Sequence, residues 1–224
     1  MGDFNIAENL SRAIFNFVPF LFALCFHEYA HGWMARRKGD RTAELMGRLT
    51  LNPMAHADPI GTIALPLMSI FFNFPFFGWA KPVPVNERNL KNPVKDMFWI
   101  ALAGPMSNVI LAAIGAVAMV VMDRFGLQSG TLGSFADMLK IFMIINLFLA
   151  VFNMIPLYPL DGSKVLARFL PYKVNHALEG AQHMTGWILI ALMMTGAFRL
   201  LAIPVYLIAE QLLTIAHGLV SLIA

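Results

Sequence analysis

Charge is what this sequence has least of. Asp, Glu, Lys and Arg make up 13% of its 224 residues, against roughly a quarter in a soluble globular domain. With 58% of residues hydrophobic, such a chain cannot cover a water-facing surface, and an ordinary soluble fold is excluded. Cysteine is nearly absent: Cys25 stands alone, which rules out an intrachain disulfide framework. The net charge of +3 is small, and its basic residues sit in loops between apolar runs, so it marks topology and lipid-headgroup contact and excludes a nucleic-acid surface. Internal repeats and low-complexity segments are missing. The N-terminus carries Asp3 and Glu8 ahead of Arg12, lacks the positive region of a cleaved signal peptide and is expected to be retained.

Apolar runs fill the space that charge leaves. They cover residues 14–34, 60–79, 97–122, 138–159 and 184–224, the last broken near Arg199 and Pro204. Several approach the ~20 residues that a helix needs to cross a bilayer. The expected fold is an all-α polytopic membrane protein with about four to six membrane segments. It is read as one domain over 1–224, with a catalytic core at about 10–165 and C-terminal helices at about 184–224. Two stretches read as strands. In "GRLTLNP" Leu49 and Leu51 alternate with polar neighbours, and in "AKPVPVN" Val83 and Val85 alternate between prolines. Prolines forbid a central strand, so these are expected as edge strands of a small membrane-surface β-sheet.

The basic loops orient the chain. Arg36, Arg37, Lys38, Arg41 and Arg48 follow the first run, and Lys81, Arg88, Lys91 and Lys95 follow the second. The positive-inside rule places both loops in the cytoplasm, together with 162–183, and leaves Gly2 outside. The 60–78 run must then begin and end on one side, as a re-entrant hairpin. Pro66, Asn73 and Pro75 inside it agree, since irregular backbone at membrane depth has to line a cavity or pack on protein.

Inside the first run lies His27-Glu28-Tyr29-Ala30-His31, the pattern H-E-x-x-H. Histidines four apart share a helix face and can bind one zinc ion, with Glu28 near enough to act as general base. Ionisable groups within a span are costly unless they serve a site. Catalytic zinc commonly takes three protein ligands. The candidate for the third is Asp161 in "NMIPLYPLDGSKV", the only acid between Asp137 and Glu179. Asp161 shares a leaflet with His31 only if 60–78 makes no net crossing, which the basic loops require independently.

"HEYAH", "ALAGPMSNVILA" and "NMIPLYPLDG", in that order, resemble the site-2 protease family of intramembrane zinc metalloproteases. The resemblance spans 27–162 and implies Zn²⁺ held by His27, His31 and Asp161, with Glu28 as general base and acid. Asn153 matches the Asn of the family's N-x-x-P-x-x-x-L-D-G element, which implies a role in positioning the scissile peptide or its oxyanion. "FGWAKPVPVN" looks like the family's substrate platform, so Val83 and Val85 are expected to contact an unwound substrate by strand addition. No added regulatory domain is expected, as in a minimal family member.

Other polar residues have two readings each. His56 and Asp58 either line a water route or bind a second cation, with His56 also a candidate substrate contact, or form a surface turn with an Asp-Pro cap. Asn108 either touches substrate or ties helices together. Gly104 is expected to permit close helix approach. The implied partners are the bilayer and a transmembrane substrate such as a membrane-bound regulator, with a homodimer as an option. The implied location is the cell membrane, multi-pass, with the active site towards the cytoplasm. The alternatives are a metal transporter, which needs polar groups strung along several helices, and a catalytically silent binding protein, which has no need of Glu28.

Overall fold

The computed structural model describes residues 6–72, 78–127 and 129–223; Gly2, and Asn73 and Pro75 of the expected hairpin, lie outside them. Helix α1 (Ile6–Lys38) carries the first apolar run and stops where its basic last turn predicts. Gly39 adopts a φ of 109° there, and the Asp40 amide donates back to the Ala35 carbonyl at 2.9 Å. Short helices α2 (Thr42–Leu45) and α3 (Pro53–His56) follow. A π-helical turn, Pro59–Ala64, leads into α4 (Leu65–Phe72). Beyond a 3₁₀ turn at Glu87–Asn89 come the long helices α5 (Pro93–Arg124) and α6 (Gly130–Asn153). Three shorter helices, α7 (Asp161–Ala167), α8 (Tyr172–Gly180) and α9 (Gln182–Met194), precede α10 (Arg199–Ile223). The C-terminal break falls at Gly196, with φ of 71°, and Pro204 is accommodated inside α10.

Among the described residues four helices are long and apolar enough to cross a membrane: Ala13–Lys38, Pro93–Arg124, Gly130–Asn153 and Arg199–Leu222. The all-α polytopic architecture is therefore as the sequence indicates. Helix α5 is central and packs on α1, α6 and α10. Small residues make this possible: Ala112 and Ala116 are fully buried against Met143 and Leu147 of α6 and Val205 and Ala209 of α10. Lipid offers no hydrophobic drive between helices, so close backbone approach and dispersion must hold them. A second cluster, Phe20, Ala23, Leu24 and Leu149, joins α1 to α6. These contacts bring the C-terminal half of α1, the N-terminal part of α5 and the C-terminal end of α6 around one cavity.

The two ends of the 60–78 segment meet. The Trp79 amide donates to the Gly61 carbonyl at 3.1 Å, and the Thr62 hydroxyl to the Trp79 carbonyl at 2.7 Å. A Cβ on Gly61 would lie 2.3 Å from the Trp79 ring, so only glycine allows this closure. A segment tied end to end makes no net crossing. Asp58 caps its start, accepting from the Ile60 and Gly61 amides at 3.0 and 2.7 Å, which is the turn reading of that residue.

The expected sheet is not formed: among the described residues there is no strand ladder at 47–53 or 80–86. The reason lies in where the amides go. Pro82 and Pro84 have no N–H, Lys81 donates to the His56 carbonyl at 2.9 Å, and Val83 and Asn86 donate to the carboxylates of Glu28 and Asp40, each at 2.7 Å. Those amides are no longer available to a partner strand. The segment is instead braced by Arg48, whose guanidinium donates to the Lys81 carbonyl at 2.7 Å.

Asp40 anchors its far end. Its carboxylate is fully buried and accepts from the Asn86 amide, the Asn89 side chain at 2.7 Å and both donors of Thr42. Burial pushes its pKa up, but the donors from Thr42, Asn89 and Asn86 outweigh that and hold it below the ordinary carboxylate range. A depressed folded pKa means stability that is present above the unfolded value of about 4 and lost as pH falls below it. Replacing Asp40 by Asn should lower stability in detergent by about 1.5–3 kcal/mol at pH 7, the value of charge-assisted bonds. The gap between wild type and variant should close as pH drops through 4 and below; denaturation midpoints across pH check both.

Candidate active site

His27 and His31 sit one turn apart on the face of α1 that meets α5, with ring centroids 4.6 Å apart and planes nearly perpendicular. Close approach of the helices is set by Gly104. A Cβ there would lie 2.4 Å from His31 Nε2 and 2.7 Å from His27 Cε1, so any side chain would push the imidazoles away. Asp161 arrives from the opposite side as the first residue of α7, after the turn that ends α6. Gly162 lets this turn close tightly, because a Cβ would fall 2.3 Å from the Met154 carbonyl oxygen.

Three side chains thereby converge. His27 Nε2 lies 3.1 Å from Asp161 Oδ2, His31 Nε2 lies 3.3 Å from it, and the two Nε2 atoms are 3.0 Å apart. The other imidazole nitrogens have their own partners. His31 Nδ1 is 2.7 Å from the Ile100 carbonyl, and His27 Nδ1 is 2.6 Å from Asn108 Oδ1. A carbonyl oxygen can only accept, so in the neutral rings Nδ1 carries the hydrogen and Nε2 the lone pair. Two lone pairs and a carboxylate oxygen that receives no N–H or O–H then face one another in a buried space. That arrangement is repulsive unless a cation occupies the centre. Donor atoms of a tetrahedral zinc shell with bonds of about 2.0–2.1 Å are themselves about 3.3 Å apart, so the residues fit the ion. Among the described residues this is the one group of three such ligands close enough to share a metal.

Glu28 is buried beside the histidines and accepts from the Val83 amide at 2.7 Å through Oε2. It faces a cavity of about 440 Å³, whose walls include His27, His31, Val83, Val85, Asn153 and Asp161. Asn153 spends one amide hydrogen on the Leu149 carbonyl at 2.9 Å and has a second to offer. Two expected substrate contacts are corrected. Asn108 is fully buried behind His27 and does not line the cavity, because its polar atoms are consumed by helix-to-helix bonds. His56 also lies away from it, 2% exposed, with Nε2 2.8 Å from the Thr50 carbonyl. The sequence reading missed Asp40, the Val83–Glu28 bond and Asn146. Asn146 had a signal, as a lone amide within the apolar run "IINLFLA".

A membrane-type helical bundle in which an H-E-x-x-H helix and a remote aspartate close a metal-sized gap has the outline of a zinc metalloprotease site. The profile of peptidase family M50 matches residues 15–130 and 127–197, and the chain belongs to that family, the site-2 proteases. It is 38% identical over 169 residues to "Putative zinc metalloprotease YwhC" of Bacillus subtilis, covering 74% of this chain and 73% of that one. It is 28% identical over 178 residues to "Putative zinc metalloprotease Rip2" of Mycolicibacterium smegmatis, covering 79% of this chain and 65% of the relative. A 68-residue stretch is 46% identical to "Putative zinc metalloprotease MJ0611" of Methanocaldococcus jannaschii, covering 30% of this chain and 31% of that one. No solved structure matches. Zinc, named in all three relatives, is the ion that the His27–His31–Asp161 group suits.

The contact at Gly104 can be tested directly. Gly104→Ala should displace both imidazoles while leaving the polar groups intact. Zinc affinity, measured by chelator competition, should fall about 10–100-fold, the range for disturbing the support of metal-ligating histidines.

Proposed function

We propose that the protein is an intramembrane zinc metalloendopeptidase that hydrolyses peptide bonds in or near transmembrane segments of membrane-protein substrates. The observation that carries this reading is that Glu28 and the three converging ligand atoms open onto the same cavity. His27, His31 and Asp161 would hold the ion. When bound, zinc supplies Lewis-acid polarisation of a carbonyl and acidifies water in its open position.

The rest falls to this chain's own groups. Glu28 Oε2 is held by the Val83 N–H, which leaves Oε1 to take a proton from the attacking water and return it to the departing amine. Asn153 faces the cavity with a free amide hydrogen, suited to a developing oxyanion. Val83 and Val85 present side chains to an unwound substrate, although the Val83 amide itself is committed to Glu28. A helical substrate must unwind before its peptide bonds are accessible, because its backbone groups are paired internally. The basic loops support a cytoplasm-facing site in a cell-membrane protein with the N-terminus outside. The partner is a transmembrane substrate such as a membrane-bound regulator, and a homodimer is compatible.

Assays on a fused transmembrane substrate in detergent, with zinc measured on the same samples, test the assignment. Glu28→Gln should keep zinc and lose at least about 10²-fold in turnover, since an amide cannot accept the water's proton. Asn153→Ala should keep zinc and lose about 10²-fold, as for an oxyanion donor. Full activity in Glu28→Gln ends the protease reading; zinc loss in Asn153→Ala makes Asn153 structural.

A further inference from the structure

We propose that Asn146, on α6, is a positioning residue for the metal site, acting through Asn108 to fix the tautomer of His27. The inference rests on the metal-site reading above, although Asn146 touches neither the ligand cluster nor the cavity.

The orientation of the chain of amides is set at the end farthest from the metal position. Asn146 Nδ2 donates to the Phe142 carbonyl of its own helix at 2.8 Å. A carbonyl can only accept, so the Asn146 amide is oriented with Oδ1 away from it, towards Asn108. There Oδ1 accepts from Asn108 Nδ2 at 2.9 Å. The same Nδ2 donates to the Ala23 carbonyl of α1 at 3.1 Å. With Asn108's hydrogens directed to these two acceptors, its Oδ1 faces His27 Nδ1 at 2.6 Å. Nδ1 must therefore be the protonated nitrogen, and Nε2 presents its lone pair to the metal position. Flipping Asn146 would set its oxygen against the Phe142 oxygen and its amino group against that of Asn108. Asn108 and Asn146 are both fully buried, so no water can relieve the mismatch. His31 needs no such relay, because the Ile100 backbone carbonyl fixes its tautomer directly.

A merely adhesive role for the pair, tying α1, α5 and α6 together, predicts something different. It would make both substitutions costly to stability and indifferent to zinc. The relay predicts that zinc affinity depends on Asn146 only while Asn108 is present.

Zinc affinity of the purified full-length protein, measured by chelator competition with zinc alone as probe, separates the two. Asn108→Leu should weaken binding about 10–100-fold and Asn146→Leu about 10-fold. The double variant should bind no more weakly than Asn108→Leu. Unchanged affinity in Asn146→Leu, or additive losses in the double variant, would overturn the relay. Asn146→Asp guards against a folding artefact: as a neutral buried acid it keeps an acceptor for Asn108 and a donor for the Phe142 carbonyl, and should bind within a few-fold of wild type. Loss as large as that of Asn146→Leu would count against the proposal. A final readout needs no variant. In the zinc-free wild-type protein, at a pH where the ring is neutral, ¹⁵N shifts should show His27 protonated at Nδ1, and an Nε2–H ring would overturn the proposal. None of these readouts uses proteolysis, so loss of the protease reading through an active Glu28→Gln would leave them intact.

Discussion

An imidazole buried in a membrane protein must satisfy both of its nitrogens, and most of this site follows from that constraint. Where Nδ1 of His27 and His31 is given a carbonyl oxygen, Nε2 needs a donor or a cation, and two such atoms facing each other favour the cation. Asp161 supplies the charge that makes such a position attractive. The partners of Nδ1 come from α5, so α1 and α5 must lie close. That closeness in turn demands Gly104 under the rings. Changing any of these residues disturbs the others, because the partners of both Nδ1 atoms lie on the same α5 that Gly104 holds against the rings.

The second consequence concerns the segment from Trp79 to Asn89. It reaches back over the site and is held at both ends, by the closure on Gly61 and by the buried Asp40 carboxylate. Between these anchors the Val83 amide reaches Glu28. One segment therefore forms a wall of the cavity and also aims the proposed general base. The amides of Lys81, Val83 and Asn86 are directed at a carbonyl and two carboxylates, so it is irregular where a ladder would otherwise form.

Much of the site was legible from spacing. His27 and His31 share a helix face by arithmetic, and Asp161 is the sole acid in its stretch of chain. Loop charges indicated that 60–78 begins and ends on one side, and its end-to-end closure agrees with that. What stayed hidden depends on three-dimensional partners. Alternating valines at 83 and 85 look like a strand until the destinations of the N–H groups are known. His56 and Asn108 had two readings each, and spacing could not choose between them; in the structure each is buried on internal acceptors or donors. Asp40 resembled an ordinary loop acid beside a basic turn, and only its burial reveals the anchor.

Metal ligation is the central claim, and X-ray absorption at the zinc edge of the purified protein tests it most directly. Two imidazole nitrogens and one carboxylate oxygen are expected at about 2.0–2.2 Å, with a further light donor completing four-coordination. One imidazole should disappear from the spectrum in His31→Ala. A sulfur contribution at about 2.3 Å, which in this chain only Cys25 or a methionine can supply, would contradict it. So would a wild-type spectrum unchanged by the loss of Asp161.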